Sequence, residues 1–315
     1  MKQKKIARIV ISVAPAFFAI SALANVIGTD LQNFNSPTNG LDFVTVQSSK
    51  TLEPGILNLG LFFNYGVNTL PYFEGTAGQN QADIRDSLTG MDANLGLGLM
   101  KNWDVGISFP FILSQSVDGL GTHGQFAQNG WTEFRANTKV RLFGGPTGGV
   151  ALIGSMNLNQ IENNPFVGQS AGPIYNLEAA GDIAIDNLAL GVNAGYRWRN
   201  PGTAIVNSSV EPFRNQMIAS MAASYHIPSA DTKLIFEVFG SMPAVSTTFD
   251  SDRKQSSLEA LLGLKYDITS RLAFHFGGGT ELDHGTATPD WRVYTGINYT
   301  FGPLWEQKQN VKQTE

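Results

Sequence analysis

The chain has 315 residues, of which 34 are glycine, none is cysteine and 15% are charged. Without cysteine there can be no disulfide framework, no thiolate metal site and no lipid-modified cysteine behind an export signal. The formal charge of −5 argues against a nucleic-acid partner, which calls for a basic surface.

Residues 1–24 have the layout of a secretory signal peptide. Lys2, Lys4, Lys5 and Arg8 precede an apolar stretch from Ile9 to Leu23, and Ala22-Leu23-Ala24 offers a small-residue cleavage site. The stretch is shorter than the roughly 20 residues a membrane span needs, and Pro15 interrupts it. Cleavage removes four of the 21 basic residues and none of the 26 acidic ones, leaving 17 against 26 and a net charge of −9. Residues 25–55 show no sustained period. Pro37, Gly40, Pro54 and Gly55 break the extra strand that "DFVTVQ" could otherwise form, so a periplasmic lead-in or a lumen plug is expected.

From Ile56 onward the period is two. Leu57, Leu59, Leu61, Phe63 and Tyr65 share one face of an extended chain, and Asn58, Gly60 and Asn64 the other. The second run sets Met91, Ala93, Leu95, Leu97 and Leu99 against Asp92, Asn94, Gly96 and Gly98, and the third carries Val105, Ile107, Phe109, Phe111 and Leu113. The fourth sets Phe134, Ala136, Thr138, Val140 and Leu142 against Glu133, Arg135, Asn137, Lys139 and Arg141. Further runs centre on Leu152, Ile183, Val192, Met221, Phe236, Leu262, Phe274 and Ile297, making about twelve. Tight links at 101–104, 144–148, 186–187, 228–231 and 267–270 alternate with longer polar segments.

Short links on one side and long ones on the other predict an all-β fold. The pattern is that of a transmembrane, antiparallel up-and-down barrel over residues 56–301, with short periplasmic turns and longer extracellular loops. An even strand number puts both termini on the periplasmic side, with residues 302–315 as a short periplasmic tail. A soluble barrel would show the same alternation with its apolar face turned inward. Two features favour membrane lipid outside: the apolar face carries no Asp, Glu, Lys or Arg, and aromatics gather at strand ends. Tyr65, Trp131, Tyr196, Trp198 and Trp291 form the expected outer belt; Trp103, Phe143, Tyr225, Tyr266, Tyr299 and Phe301 form the inner one.

The lumen face then carries Asp92, Glu133, Arg135, Lys139, Arg141, Glu178, Asp182, Arg197, Glu237, Glu259, Lys265, Arg271 and Arg292. With Arg199 and Lys233 at strand ends this is nine cations against six acids, a slight preference for anions if the interior is wet and a salt-bridged plug if the charges pair. Twelve strands lie between eight-stranded barrels, which are filled by side chains, and wide porins of 16–18. A narrow pore for passive diffusion of small solutes is expected, with a non-conducting structural or surface-interaction barrel as the alternative.

The last run reads polar-x-Gly-x-x-aromatic-x-aromatic through Tyr294, Gly296, Tyr299 and Phe301. It resembles the terminal β-signal of Gram-negative outer-membrane barrels, which implies recognition by the outer-membrane assembly machinery, although that signal usually ends a chain. The segment "FNSPTNGLDFVTVQSSKTLEPGILNLGLFFNY", residues 34–65, is similar to the start of the N-terminal barrel in certain OmpA-family outer-membrane proteins. The resemblance implies a barrel in the cell outer membrane, in contact with its lipids. No peptidoglycan-binding residue carries over, because that family's binding domain has no counterpart here.

No catalytic residue, metal ligand or cofactor is assigned. His123, His226, His275 and His284 do not pair at metal-ligand spacing, and His275 is expected in a lumen polar network. Glu281, Asp283, His284 and Asp290 loosely resemble the rim chemistry of outer-membrane proteases, but an acidic, solvated loop tip accounts for them equally. No His-x-Ser of outer-membrane phospholipase occurs, "GGPTGGV" lacks the Lys-Ser/Thr of a phosphate loop, and the cations of "DSDRK" make it an ordinary exposed loop before a calcium site.

Overall fold

The computed structural model describes residues 32–69, 86–116, 129–161, 164–206, 211–245 and 255–305. The signal peptide, His123, "DSDRK" and most of the C-terminal tail lie outside them. The strands are β1 (Leu57–Val67), β2 (Ser87–Met100), β3 (Trp103–Ser116), β4 (Gly130–Trp131), β5 (Glu133–Gly145), β6 (Gly148–Asn159) and β7 (Ile174–Ile185), followed by β8 (Leu188–Trp198), β9 (Gln216–Ile227), β10 (Thr232–Pro243), β11 (Ser257–Asp267), β12 (Leu272–Asp283) and β13 (Trp291–Phe301). β4 and β5 are one stave interrupted at Thr132, whose N–H and hydroxyl both reach Pro110 O on β3. The barrel therefore has twelve staves.

Each stave is antiparallel to its neighbours, and β1 closes the circle on β13, with Leu57 opposite Phe301 and Val67 opposite Trp291. Closure removes the free edges that an open sheet would present. The short connections need left-handed backbone, which small polar side chains tolerate. Asn102, Asp186 and Asp231 supply it at φ of 66°, 50° and 46°.

Burial alternates along the strands as the sequence period requires. On β1, Asn58, Gly60, Phe62 and Asn64 are buried, while Leu57, Leu59, Leu61 and Phe63 face outward. No outward position of any described strand carries Asp, Glu, Lys or Arg. Outward aromatics meet in pairs near the two rims, with ring centroids 5.5 Å apart for Tyr65 and Trp291, 4.9 Å for Tyr196 and Trp198, and 6.2 Å for Tyr299 and Phe301. An apolar outer band with aromatic rims is the surface a bilayer solvates, so this is an outer-membrane barrel. Leu262, 56% exposed near the middle of β11, faces that band. Leu262→Lys is expected to cost about 2–4 kcal/mol of folding into lipid, read as a lower folded fraction on refolding into liposomes. Refolding as efficient as that of the unsubstituted protein would refute this lipid-facing register.

Inside, the barrel is more apolar than a water-filled lumen. Phe62, Ala222, Ile235, Phe239, Leu261 and Tyr294 point inward and pack on Phe34, Phe43, Val44 and Val46 of the segment preceding β1. Tyr294 and Gly296 of the terminal motif face in, and Tyr299 and Phe301 face out.

Candidate functional site

Residues 32–55 lie within the barrel, and they bear on the expected position of the N-terminal end. β1 begins and β13 ends at the same rim, yet the chain ahead of β1 returns toward the opposite one. From Gly55, bonded to Gly98 at the inner end of β2, the segment read backwards circles the interior and then climbs the β1–β13 seam. Phe34 sits 5.1 Å from Tyr294, and Asn33 Nδ2 donates to Ala287 O in the β12–β13 loop at the extracellular rim. We refer to this segment as the strap.

Wall side chains hold the strap chiefly by its main chain. Glu237 on β10 accepts from Val44 N (2.6 Å) and Thr45 N (2.9 Å). Asn193 on β8 both accepts from Gln47 N (2.8 Å) and donates to Gln47 O (2.7 Å). Asp182 on β7 accepts from Ser49 N (2.6 Å), and Asp104 on β3 from Leu52 N (3.0 Å). Three donors complete the set: Lys139 on β5 to Ser48 O (3.1 Å) and Lys50 O (3.3 Å), Lys265 on β11 to Gly40 O (2.7 Å), and Asn58 on β1 to Thr38 O (2.8 Å). Among the described residues the strap has no sheet partner, so these side chains satisfy the backbone groups that burial would otherwise orphan. Glycines clear its path. A Cβ at Gly96 would strike Thr38 O, one at Gly98 would strike Glu53 O, and one at Gly191 would enter the Phe43 ring.

The remaining lumen charges are spent elsewhere. Arg135 pairs with Glu133 and with Asp92 (3.3 Å). Arg292 forms a two-pronged pair with Glu259 (2.6 and 3.0 Å), donates to Asn64 (2.9 Å) and lies over the Phe34 ring. Arg197 donates to Asn176 and Gln216, and Arg199 to Gln216. Lys233 and Lys50 flank Asp42 of the strap at 3.6 and 3.1 Å. Two expected wall residues sit outside the lumen proper. Arg141 folds over the β5–β6 turn onto Gly145 O and Gly148 O, and Arg271 is exposed in the turn before β12, because each falls where its strand ends. His275 is buried against Phe62 and within 3.0 Å of Asn298, as a network histidine.

Sequence reasoning missed Asp104, Asn193 and Asp42. Asp104 has the parity of Gly106 and Ser108, which is the lumen face, but it falls in the tight link at 101–104. Asn193 shares the parity of Arg197, and a search restricted to charges passes over it.

The interior is not uniformly filled. Arg135, Asn137, Ser155, Asn157, Glu178 and Ser220 point inward yet keep partial solvent contact, outlining a polar cleft along β5–β9. Strap residues 47–50 cross just below Glu178, where Asn193, Asp182 and Lys139 hold them. At the rim, His284 Nδ1 lies 3.0 Å from Glu281, and these two with Asp290 bring three donor atoms within 4.8 Å of one another, a spacing a divalent cation can span. Asp283 turns away to Ser256, and Asp290 accepts from Asn68 (2.6 Å).

No protein-family model matches this chain, and no curated protein matches it in sequence. Among solved structures, it is similar to an outer-membrane channel from Pseudomonas putida F1 at 12% identity and a TM-score of 0.59, covering 80% of this chain and 98% of that one. It is also similar to the NanC porin at 11% identity and a TM-score of 0.51, covering 76% and 98% of the two chains. At these identities the likeness is one of fold: a closed, twelve-stranded outer-membrane β-barrel.

Proposed function

We propose that this protein is a narrow outer-membrane channel for small solutes, closed in this conformation by its own strap. The observation that carries the reading is the polar cleft along β5–β9, crossed by strap residues 47–50. Two solved barrels of similar fold are described as a channel and a porin, which supports the same reading. The slight anion preference expected from counting charges draws little support, since the lumen cations are bound to acids, amides or carbonyl oxygens. The reading is non-enzymatic; it takes bilayer lipid as the partner of the outer band and the assembly machinery as the reader of the terminal motif. Kinship with the OmpA-family barrel stays part of the proposal, supported by the coincidence of residues 34–65 with the strap and β1.

A second reading, a non-conducting structural barrel, is favoured by the buried Arg292–Glu259 pair and the apolar packing around it. Planar-bilayer recording separates the two. The full chain is compared with a Thr45→Pro/Gln47→Pro variant, which removes two N–H donors to Glu237 and Asn193 and so loosens the strap without touching the wall. Rare openings in the first and sustained steps in the second are expected. Silence from both, in protein shown to be folded, would overturn the channel reading.

A further inference from the structure

The strap is held by what every polypeptide possesses. Its N–H groups at residues 44, 45, 47, 49 and 52 donate to wall carboxylates and an amide, and its carbonyls at 38, 40, 47, 48 and 50 accept from wall amides and ammonium groups. Polar side-chain contacts with the wall are fewer: Thr38 to Asn137, Asn39 to Asp104, Thr45 to Glu237 and Asp42 to Lys233, beside the apolar packing of Phe34, Phe43, Val44 and Val46. Asn193 is the clearest case, since its amide clasps the N–H and the C=O of one residue as a neighbouring strand would. Glu237 likewise takes two successive N–H groups with one carboxylate.

From this geometry we infer that the lumen wall is a receptor for extended polypeptide main chain. The strap occupies it in cis, and a peptide of matching length occupies it in trans when the strap is loosened. The site runs through Asp104, Lys139, Asp182, Asn193, Glu237 and Lys265. Its ligand class is a polypeptide stretch of about a dozen residues, recognised by alternating amide donors and acceptors. The inference deepens the channel reading, because it names what closes the cleft and by which atoms. It requires no current to be tested.

The probe is a synthetic fluorescent peptide of residues 38–52, and the receptor is the full-chain Thr45→Pro/Gln47→Pro variant, folded in detergent. Saturable binding by anisotropy is expected, with binding to the unsubstituted chain at least about tenfold weaker, because the tethered strap competes at high effective concentration. A peptide with alanine at Gln47, Ser48, Ser49 and Lys50 is expected to bind within about threefold of the parent, since its main-chain bonds are intact. A peptide N-methylated at Val44, Thr45, Gln47 and Ser49 is expected to lose measurable binding. Absence of saturable binding by the parent peptide overturns the inference. So does an alanine peptide that fails while the N-methylated one binds, which would mean that the wall reads side chains. Binding without conductance would overturn only the channel reading.

Discussion

Replacing Glu237 by Ala is expected to turn a mostly closed barrel into one that conducts for most of its time. The carboxylate is fully buried and takes three strap donors: Val44 N, Thr45 N and, at 2.6 Å, the Thr45 hydroxyl. An alanine leaves the two N–H groups without an acceptor while the strap stays docked, at about 1–3 kcal/mol for each group that remains buried. Release into the lumen returns them to water, so the penalty falls on the closed state. About 1.4 kcal/mol shifts an equilibrium tenfold, and a strap closed nearly all of the time would become open for most of it. Glu237→Gln keeps one acceptor oxygen and should lie between. Open probability from single-channel records is the readout; an Ala variant as closed as the parent would remove Glu237 from the latch.

The second large effect is on stability. Arg292 is 1% exposed, with both prongs on Glu259, a third bond to Asn64 and the Phe34 ring 5.5 Å away. Arg292→Met strands the Glu259 carboxylate in the interior, and breaking a buried pair in this way costs about 3–5 kcal/mol. Arg292→Met combined with Glu259→Leu should recover most of that loss, because the apolar neighbours can take up both side chains. The denaturant midpoint for unfolding from lipid reports both. A single variant as stable as the parent would show that the pair contributes nothing.

The staves were legible because a bilayer outside and polar groups inside impose a strict period of two. Leu262 and Asp92 point to opposite faces for the same reason that they differ in chemistry. The inward apolar residues were harder to see. Phe62, Ile235 and Leu261 fall at lumen parity, where a wet pore predicts polar groups, and they are apolar because the strap brings Phe43, Val44 and Val46 to them. The strap shows in the sequence only as a break in the period over residues 25–55, which a periplasmic lead-in would share. It is neither helix nor strand, so it has no period, and its grip resides in main-chain atoms that every residue shares. Parity assigns the lumen charges a face but not a partner. Lys139 and Lys265 count as cations in a list, whereas in the barrel they are donors to Ser48 O and Gly40 O.

The strap precedes every stave, and two of its partners lie near the far end of the chain. Val44 and Glu237 are 193 residues apart, and Gly40 and Lys265 are 225 apart. Contacts of such separation form only after the intervening chain is organised. Phe34 also touches Phe62 on β1 and Tyr294 on β13, the two staves whose pairing completes the circle. Every copy must therefore leave its strap unlatched from Glu237 and Lys265 until β10 and β11 have joined the wall.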